Sequence, residues 1–415
     1  MRACALGLLA MSGWLMLGGG VLAAELDAPG STAASMRQLG RQLSPELRAV
    51  ALDRDAAAAR ADAAGQLDDP IFRAMSDEVD RTSGPRINKT YLTVEQEFPL
   101  WGKLDLKRSA ALSALDAARG RELATASELD EKIKVAFARY YAASQALVVN
   151  RDVAQVASAM ARTAKARYAQ NQGNETDAIT ADAEITRTAM ETARLEGERR
   201  GAAARLNALL ARPANAPLAE PRAMRPLPLS EPTLASLLDR ARTANPRLLT
   251  GTAEIRSASA ERALAGKAWY PNVTLGAGAI QRDNGPTGYT ASLAVKIPLQ
   301  WGAKEAGERE AAAKLEAAQF RQTQLEADIS GDLEQALAAL ASARRIIGLT
   351  RKELISKLEA AQKAALALYR QNQGTLAAVL EAEHRMHQAR LDVLRADVDA
   401  QTALAALERL IGADL

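Results

Sequence analysis

The chain has 415 residues, of which 48% are hydrophobic and only 4% aromatic, and its formal net charge is +3. Because Lys and Arg nearly balance Asp and Glu, the composition gives no support for a nucleic-acid-binding protein, which would show a clustered basic excess. The low aromatic content disfavours a large enzyme-like core, whereas abundant alanine with mixed charge is typical of long packed helices.

The first 23 residues have the pattern of a secretory signal sequence. Arg2 precedes a short, glycine-containing apolar run that ends with small residues near Ala23 and Ala24. A membrane anchor is the alternative, although the run falls short of the ~20 continuous apolar residues of a spanning helix. The only cysteine, Cys4, lies in this segment. The exported chain is therefore expected to contain neither a disulfide nor thiol chemistry.

The rest of the chain is an internal duplication. Pro45 and Pro70 have counterparts 201 positions later, at Pro246 and Pro271. The motif RYAQNQG at 167–173 is matched by LYRQNQG at 368–374, again 201 positions later. We predict two structural repeats, at 24–212 and 234–415. The segment 213–233 between them holds six of the fifteen prolines and is predicted to be an extended linker.

Each repeat is predicted to contain a short helix, two strands, a long helix, a turn and a second long helix. The strands are expected at about 70–99 and 271–298. They are clearest after Gly288, where apolar and polar residues alternate with the period of a half-buried strand. Strands of about 9 to 11 residues are long enough to cross a bilayer at a tilt. Four strands are too few to close a conducting barrel, so either several chains share one barrel or the hairpins form a soluble sheet.

The long helices are predicted at about 102–170 and 175–212, and at 302–371 and 375–412. A seam of mostly small apolar residues with steps of three and four indicates coiled-coil packing. Each first helix ends near Asn-Gln-Gly, where a glycine is expected to supply a left-handed turn. The residues of the seam are Leu129, Ile133, Ala136, Tyr140, Ala143, Leu147, Asn150, Ala154, Ala157 and Ala161.

This order of elements resembles the TolC family of outer-membrane efflux proteins. The likeness covers nearly all the mature chain and rests on EFPLWGK and IPLQWGAK at the strand-to-helix joins and on the paired turn motifs. Within this family, the chain most resembles the CzcC-like heavy-metal efflux subgroup. It shares with that subgroup the sequence pattern DP…EFPLWGK and the absence of a cysteine at the mature N-terminus. The resemblance implies an α+β membrane protein in which three chains form one 12-stranded outer-membrane β-barrel and one periplasmic helical coiled-coil barrel.

Three groups of residues follow from this resemblance. The joins are expected at the membrane interface: Pro99, Trp101, Gly102, Pro298, Trp301 and Gly302, with the prolines ending the strands and the glycines permitting the bend. The helix tips are expected to dock a periplasmic adaptor: Arg167, Tyr168, Gln170, Asn171, Gln172, Gly173, Tyr369, Gln371, Asn372, Gln373 and Gly374. Acidic residues beyond the tips are expected to form a cation-favouring periplasmic gate: Asp177, Asp182, Glu381 and Glu383. For each group, an ordinary packing or surface role is the alternative.

A metal site is a weaker possibility. His384 and His387 are the only histidines and, with Glu381, follow one another at three-residue steps on a helix. Imidazole suits Zn²⁺ or Cu²⁺, but a conduit gains little from holding its cargo, and surface histidines are the commoner case. The sequence contains no recognisable catalytic constellation, and no cofactor is expected.

The predicted function is therefore a passive trimeric conduit of a tripartite efflux system of the RND type. Its partners would be outer-membrane lipid, a periplasmic adaptor (a membrane fusion protein) and an inner-membrane RND pump, and its cargo heavy-metal cations. One alternative keeps the duct but exports drugs, other organic compounds or, in type I secretion, a protein. A second alternative is an exported coiled-coil structural protein with soluble hairpins.

Overall fold

The computed structural model describes residues 29–80, 86–230, 232–282 and 285–415. The predicted signal sequence lies outside these described residues. None of the described helices combines the length and the hydrophobicity of a membrane-spanning segment.

The first repeat begins with two short helices rather than the single one expected. Ser44 ends the first of them in an extended conformation and caps the second by accepting a hydrogen bond from the N–H of Leu47. Pro45 then occupies the first helical position, where its missing N–H costs nothing. The elements are α1 (Ala33–Leu43), α2 (Pro45–Ala64), β1 (Ile71–Asp80), β2 (Arg86–Phe98), α3 (Lys103–Ala169) and α4 (Glu175–Leu209).

The second repeat has the same order, and Asn245 and Pro246 again separate two short helices. Its long helix is not continuous as predicted, because a π-helical turn at Thr350–Leu354 divides it. A short 3₁₀ turn also precedes the strands at Lys267–Trp269. The elements are α5 (Leu234–Ala244), α6 (Pro246–Gly266), β3 (Asn272–Arg282), β4 (Gly288–Lys296), α7 (Trp301–Leu349), α8 (Ile355–Arg370) and α9 (Leu376–Ile411).

The four described strands form one antiparallel sheet in the order β1-β2-β3-β4. The central pair joins the two repeats, with Val94 opposite Ala277 and Phe98 opposite Val273. The prediction of two strands in each half is confirmed, including β1, whose sequence pattern is the weakest.

The two faces of this sheet differ in chemistry. Because side chains alternate along each strand, the observed register places most apolar residues together. The apolar face carries Phe72, Ala74, Leu92, Val94, Phe98, Val273, Leu275, Ala277, Ala279, Tyr289, Ala291, Leu293 and Val295. The opposite face is mostly polar and includes an ion pair between Arg73 and Glu95 at 3.0 Å. Many of the apolar side chains are exposed, Leu293 at 68% for example, so no other described element covers that face.

The long helices lie side by side, and α3 packs against both α4 and α9, while α9 also packs against α7. With 67 residues, α3 is about 100 Å long. The predicted seam is confirmed: most of its members are buried, and Ala143 and Ala154 are half-buried. Each repeat has its own apolar core near the short helices, around Ile133 and Phe137 in the first and around Leu333 and Leu404 in the second.

A buried ionic network, which the sequence did not predict, fastens the repeats to each other. The Lys134 ammonium of α3 lies 2.8 Å from the Glu408 carboxylate of α9, and the exposed fractions of the two side chains are 8% and 3%. Arg225 of the linker donates to the same carboxylate at 2.7 Å. Lys134 and Arg37 both bind Asp414 at 2.6 Å. The network therefore joins α1, α3, the linker and the residues that follow α9.

Candidate functional site

The first strand-to-helix join is built from two consecutive residues in left-handed conformation. Trp101 has φ 69° and Gly102 has φ 73°, so the chain turns sharply between β2 and α3. The Trp101 indole N–H donates to the carbonyl of Pro271 at 3.1 Å, and its ring lies 5.1 Å from that of Tyr270. Lys103 donates to the carbonyl of Tyr270 at 2.8 Å. This join is therefore held by the segment that leads into β3.

The second join has a different conformation, which corrects the expectation for Gly302. Trp301 is already the first residue of α7, and Gly302 lies within the helix rather than at a left-handed bend. The turn occurs just before the helix, at Gln300, which has φ −85° and ψ 78°, and the N–H of Trp301 donates to the carbonyl of Leu299 at 3.1 Å, as in an inverse γ-turn. Both tryptophans are exposed beside the sheet, and Pro99 follows directly after β2.

The two helix tips have the same backbone, but its key residue is asparagine, not the expected glycine. Asn171 and Asn372 have φ values of 56° and 58°. The N–H of Gln172 donates to the carbonyl of Arg167, and that of Gln373 to Leu368, the pattern of a Schellman motif. Asparagine is the commonest substitute for glycine in this conformation. The asparagine of the repeated Gln-Asn-Gln-Gly motif is therefore the residue in the sequence that indicates this left-handed position.

Gly173 and Gly374 instead lie where a side chain would have little room. A Cβ atom on Gly173 would lie 3.0 Å from the Cβ of Arg167, and one on Gly374 would lie 3.1 Å from the Cβ of Leu368. Both tips therefore fold tightly back against the helix that they end. Asn174 and Thr375 then cap the returning helices by accepting N–H groups of the first turn.

Arg167 links the two tips. Its guanidinium donates to the carbonyl of Tyr369 at 3.3 Å and also to the side chain of Asn372, and it lies 4.9 Å from the centre of the Tyr369 ring. Tyr369 itself is buried in a small apolar cluster with Leu376, Val379 and residues of α3 and α4. Of the predicted docking residues, the structure thus joins Arg167, Tyr369 and Asn372 into one cluster, in which Tyr369 is buried.

The predicted gate carboxylates do not converge within one chain. Asp182 pairs with Lys165 at 2.7 Å, and Glu381 pairs with Arg385 one turn along its own helix at 2.7 Å. Glu383 accepts a hydrogen bond from Gln362 at 2.5 Å. Asp177 is half-buried in the first turn of α4, where a negative charge is favourable. A ring of these carboxylates would need contributions from further copies of the chain.

The two histidines do not form a metal site with Glu381. The described residues contain no group of three or more potential His, Asp or Glu ligands placed to hold a metal ion. His384 faces the guanidinium of Arg187 at 3.2 Å, which disfavours a cation there. His387 is buried, its Nδ1 has no hydrogen-bond partner, and burial lowers its pKa.

Comparisons with known proteins agree with this architecture. A family model described as outer membrane efflux protein matches residues 237–413. No curated protein sequence matches the chain.

Solved structures share the fold over nearly the whole chain. The outer membrane protein VceC from Vibrio cholerae has 20% identity and a TM-score of 0.78, covering 92% of this chain and 96% of that one. The open-state MtrE outer membrane channel of Neisseria gonorrhoeae has 18% identity and a TM-score of 0.77, covering 92% and 89%. A membrane protein from Pseudomonas aeruginosa has 19% identity and a TM-score of 0.78, covering 91% and 93%.

The likeness to outer membrane efflux proteins is thus supported by the family model in the second repeat and by the fold throughout. The narrower likeness to the heavy-metal subgroup stays a prediction.

Proposed function

We propose that the protein is the outer-membrane channel of an efflux system, a passive conduit rather than an enzyme. The observation that carries this proposal is the uncovered apolar face of the four-stranded sheet, at one end of helices about 100 Å long. A soluble sheet would bury such a face against another element. Lipid would cover it while leaving the polar face toward water.

Three chains would complete the structure. The two outer strands, β1 and β4, each pair with only one other strand in the described sheet. Lipid-exposed strand edges are too costly to persist in a bilayer, so neighbouring chains would have to pair them. Three chains would supply twelve strands in a closed barrel, above the eight that merely fill their interior with side chains.

The internal duplication indicates which helices would meet between chains. Within one chain, α3 of the first repeat packs against α9 of the second, with Ala146 and Leu391 in one buried cluster. The equivalent helices, α7 and α4, are the outer helices of the chain. Their equivalent residues, Ile346 and Met190, are exposed by 47% and 70%. A second copy would bury both by repeating the internal contact, and such head-to-tail contacts can close into a ring.

In this assembly the tips joined by Arg167 would dock a periplasmic adaptor, and the acidic residues beyond them would form the gate. The inner-membrane partner would be an RND pump that supplies the energy. Trp101 and Trp301 would lie at the level of the lipid headgroups, where amphipathic rings are favoured.

Heavy-metal cations are the proposed cargo, while drugs or a secreted protein are the alternatives. The cargo proposal rests on the sequence likeness to the heavy-metal subgroup. Because the histidines form no site of their own, replacing both His384 and His387 by Gln should leave metal resistance unchanged in a strain that depends on this chain. A loss of resistance with normal channel levels would assign them a role in transport. Sensitivity to drugs but not metals in a strain lacking the chain would favour the alternative cargo.

The membrane proposal is tested by a matched pair of substitutions on β4. Leu293 lies on the apolar face and Ser292 on the polar face of the same strand. An arginine facing lipid near the midplane costs about 2–4 kcal/mol, whereas one facing water costs little. Leu293→Arg should therefore reduce the heat-resistant trimer extracted from outer membranes, and Ser292→Arg should not. Equal trimer levels for both variants, or a detergent-free monomer in the soluble fraction, would refute the proposal and favour a soluble coiled-coil protein.

A further inference from the structure

The second long helix contains a π-helical turn that the first lacks. At Thr350–Leu354 the backbone widens, and the N–H of Ile355 donates to the carbonyl of Thr350, five residues earlier. An α-helical N–H would bond four residues back. The equivalent part of α3 is regular α-helix. The difference between the two repeats is therefore local.

The buried faces of the helices show what this turn accommodates. Before the turn, buried residues of α7 follow those of α3 by 200 positions: Leu129 and Ile329, Ile133 and Leu333, Ala136 and Ala336. After it, the less exposed residues of α8 follow those of α3 by 201 positions: Ala157 and Leu358, Ala161 and Gln362, Ala164 and Ala365. The second helix therefore contains one extra residue, and the π turn absorbs it without rotating either buried face.

The segments on either side of the turn are fixed by different cores. Leu333 and Leu340 of α7 belong to the large core of the second repeat, whereas Tyr369 of α8 belongs to the cluster at the tips. Between them, residues 351–354 are exposed. The turn also packs against α9, and one of its contacts there is an ion pair between Arg351 and Asp397 at 2.6 Å.

The surroundings of this ion pair leave room for movement. A cavity of about 360 Å³ lies beside it, lined by Tyr141 of α3, Met224 of the linker and Ile347 of α7 as well as by the two charged residues. Asp397 is partly buried, and burial raises its pKa despite the neighbouring guanidinium. The pair therefore bridges an incompletely packed site rather than a solid core.

We infer that Thr350–Leu354 is a hinge at which α8 and its tip tilt relative to α7, and that the Arg351–Asp397 ion pair is its latch. The widened turn breaks the continuous ladder of α-helical hydrogen bonds, and π turns of this kind occur frequently at functional sites. The first repeat has no such hinge, so a tilt of α8 relative to α3 would also have to break the bonds from Arg167 to Tyr369 and Asn372 at the tips. The hinge follows from the fold of the chain alone; a role for it in opening a channel would rest on the proposed function.

The hinge can be tested by hydrogen–deuterium exchange on the full-length protein in detergent, with α3 as an internal control. Backbone amides at 351–356 should exchange at least tenfold faster than their equivalents at 150–155, because local opening sets the exchange rate. Equal exchange in the two segments would overturn the inference. This measurement does not depend on transport, so it can succeed even where the proposed function fails.

Two variants separate the turn from the latch. Deletion of the exposed Lys352 should restore a regular helix while keeping both buried faces, and exchange at this site should fall to the level of α3. Arg351→Gln keeps the turn but removes the latch, so exchange across 351–370 should rise by a further threefold or more, while α3 is unchanged. If the deletion prevents folding, the second variant still decides, since unchanged exchange in Arg351→Gln would refute the latch.

Discussion

Removing the central carboxylate of the buried network should destabilise the protein strongly. Glu408 accepts hydrogen bonds from Lys134 at 2.8 Å, from Arg225 at 2.7 Å and 3.0 Å, and from the N–H of Leu415 at 2.9 Å. In Glu408→Gln, one oxygen becomes an amide NH₂ group. It faces either Lys134 and Arg225 or, in the other orientation, Arg225 and the N–H of Leu415, so it opposes two donors in both cases. Breaking a buried ion pair by changing one partner costs about 3–5 kcal/mol.

We expect the lower end of that range, about 3 kcal/mol, since Lys134 keeps its contact with Asp414. For a chain of 415 residues this corresponds to a melting temperature lowered by roughly 3–4 °C, because the unfolding entropy is about 2.1 cal/mol/K per residue. The measurement is thermal unfolding of the detergent-solubilised protein, followed by the circular dichroism of its helices.

The neighbouring pair Glu131–Arg409 provides the control. It also joins α3 to α9, at 2.8 Å, but both side chains are more than a fifth exposed. Glu131→Gln should cost about 1 kcal/mol or less, because such pairs contribute little. Equal losses in Glu408→Gln and Glu131→Gln would refute the reasoning from burial. A second test is the double variant Lys134→Met with Glu408→Leu. Because residues in contact are energetically coupled, its loss of unfolding free energy should differ from the sum of the losses of the two single variants. An additive loss would also refute the reasoning.

Two further predictions concern the tips and pH. Gly374→Leu should leave trimer formation intact but reduce crosslinking to the adaptor, because a side chain there clashes with the helix end. The control is Ala159→Leu, at an exposed position of α3, whose neighbours α4 and α9 belong to the same chain, and it should change neither. Unaltered crosslinking of the tip variant would contradict the docking proposal. Burial alone would raise the pKa of Asp414, but hydrogen bonds from Lys134 and Arg37 outweigh it and lower the pKa to about 2. The carboxylate therefore stabilises the fold above its unfolded pKa of about 4, and this contribution is lost as the pH falls towards 2. The melting temperatures of the wild type and Asp414→Asn should accordingly differ at pH 7 and converge near pH 2, and a pH-independent difference would exclude this linkage.

The sequence determined the features that depend on local pattern. Alternation along β4 identified the apolar strand face, and three- and four-residue steps identified the seam of α3, because each period places side chains on one side of its element. The duplication also fixed the order of elements, including β1, whose own pattern is weak. The family likeness depends on the same repeated order.

Predictions from local pattern were wrong for backbone conformations at the tips and at the second join, where alternatives differ little in free energy. The sequence predicts glycine in the left-handed position of the tips, but Asn171 and Asn372 occupy it. Asparagine tolerates that region, and the glycines follow two residues later, where there is little space for a Cβ atom. Gly302 was expected at a bend, yet α7 begins one residue earlier and removes the need for it.

The tertiary structure alone decided which distant residues meet. The bond from Arg167 to Tyr369 and the pair Lys134–Glu408 join residues more than 200 positions apart, and no local pattern specifies such partners. The two repeats share a backbone plan but have diverged at these positions, so the duplication did not predict them either. The extra residue of the second long helix is visible in the sequence as a change of offset from 200 to 201. Only the packed structure showed that a π turn absorbs it, because the buried faces on both sides must keep their contacts.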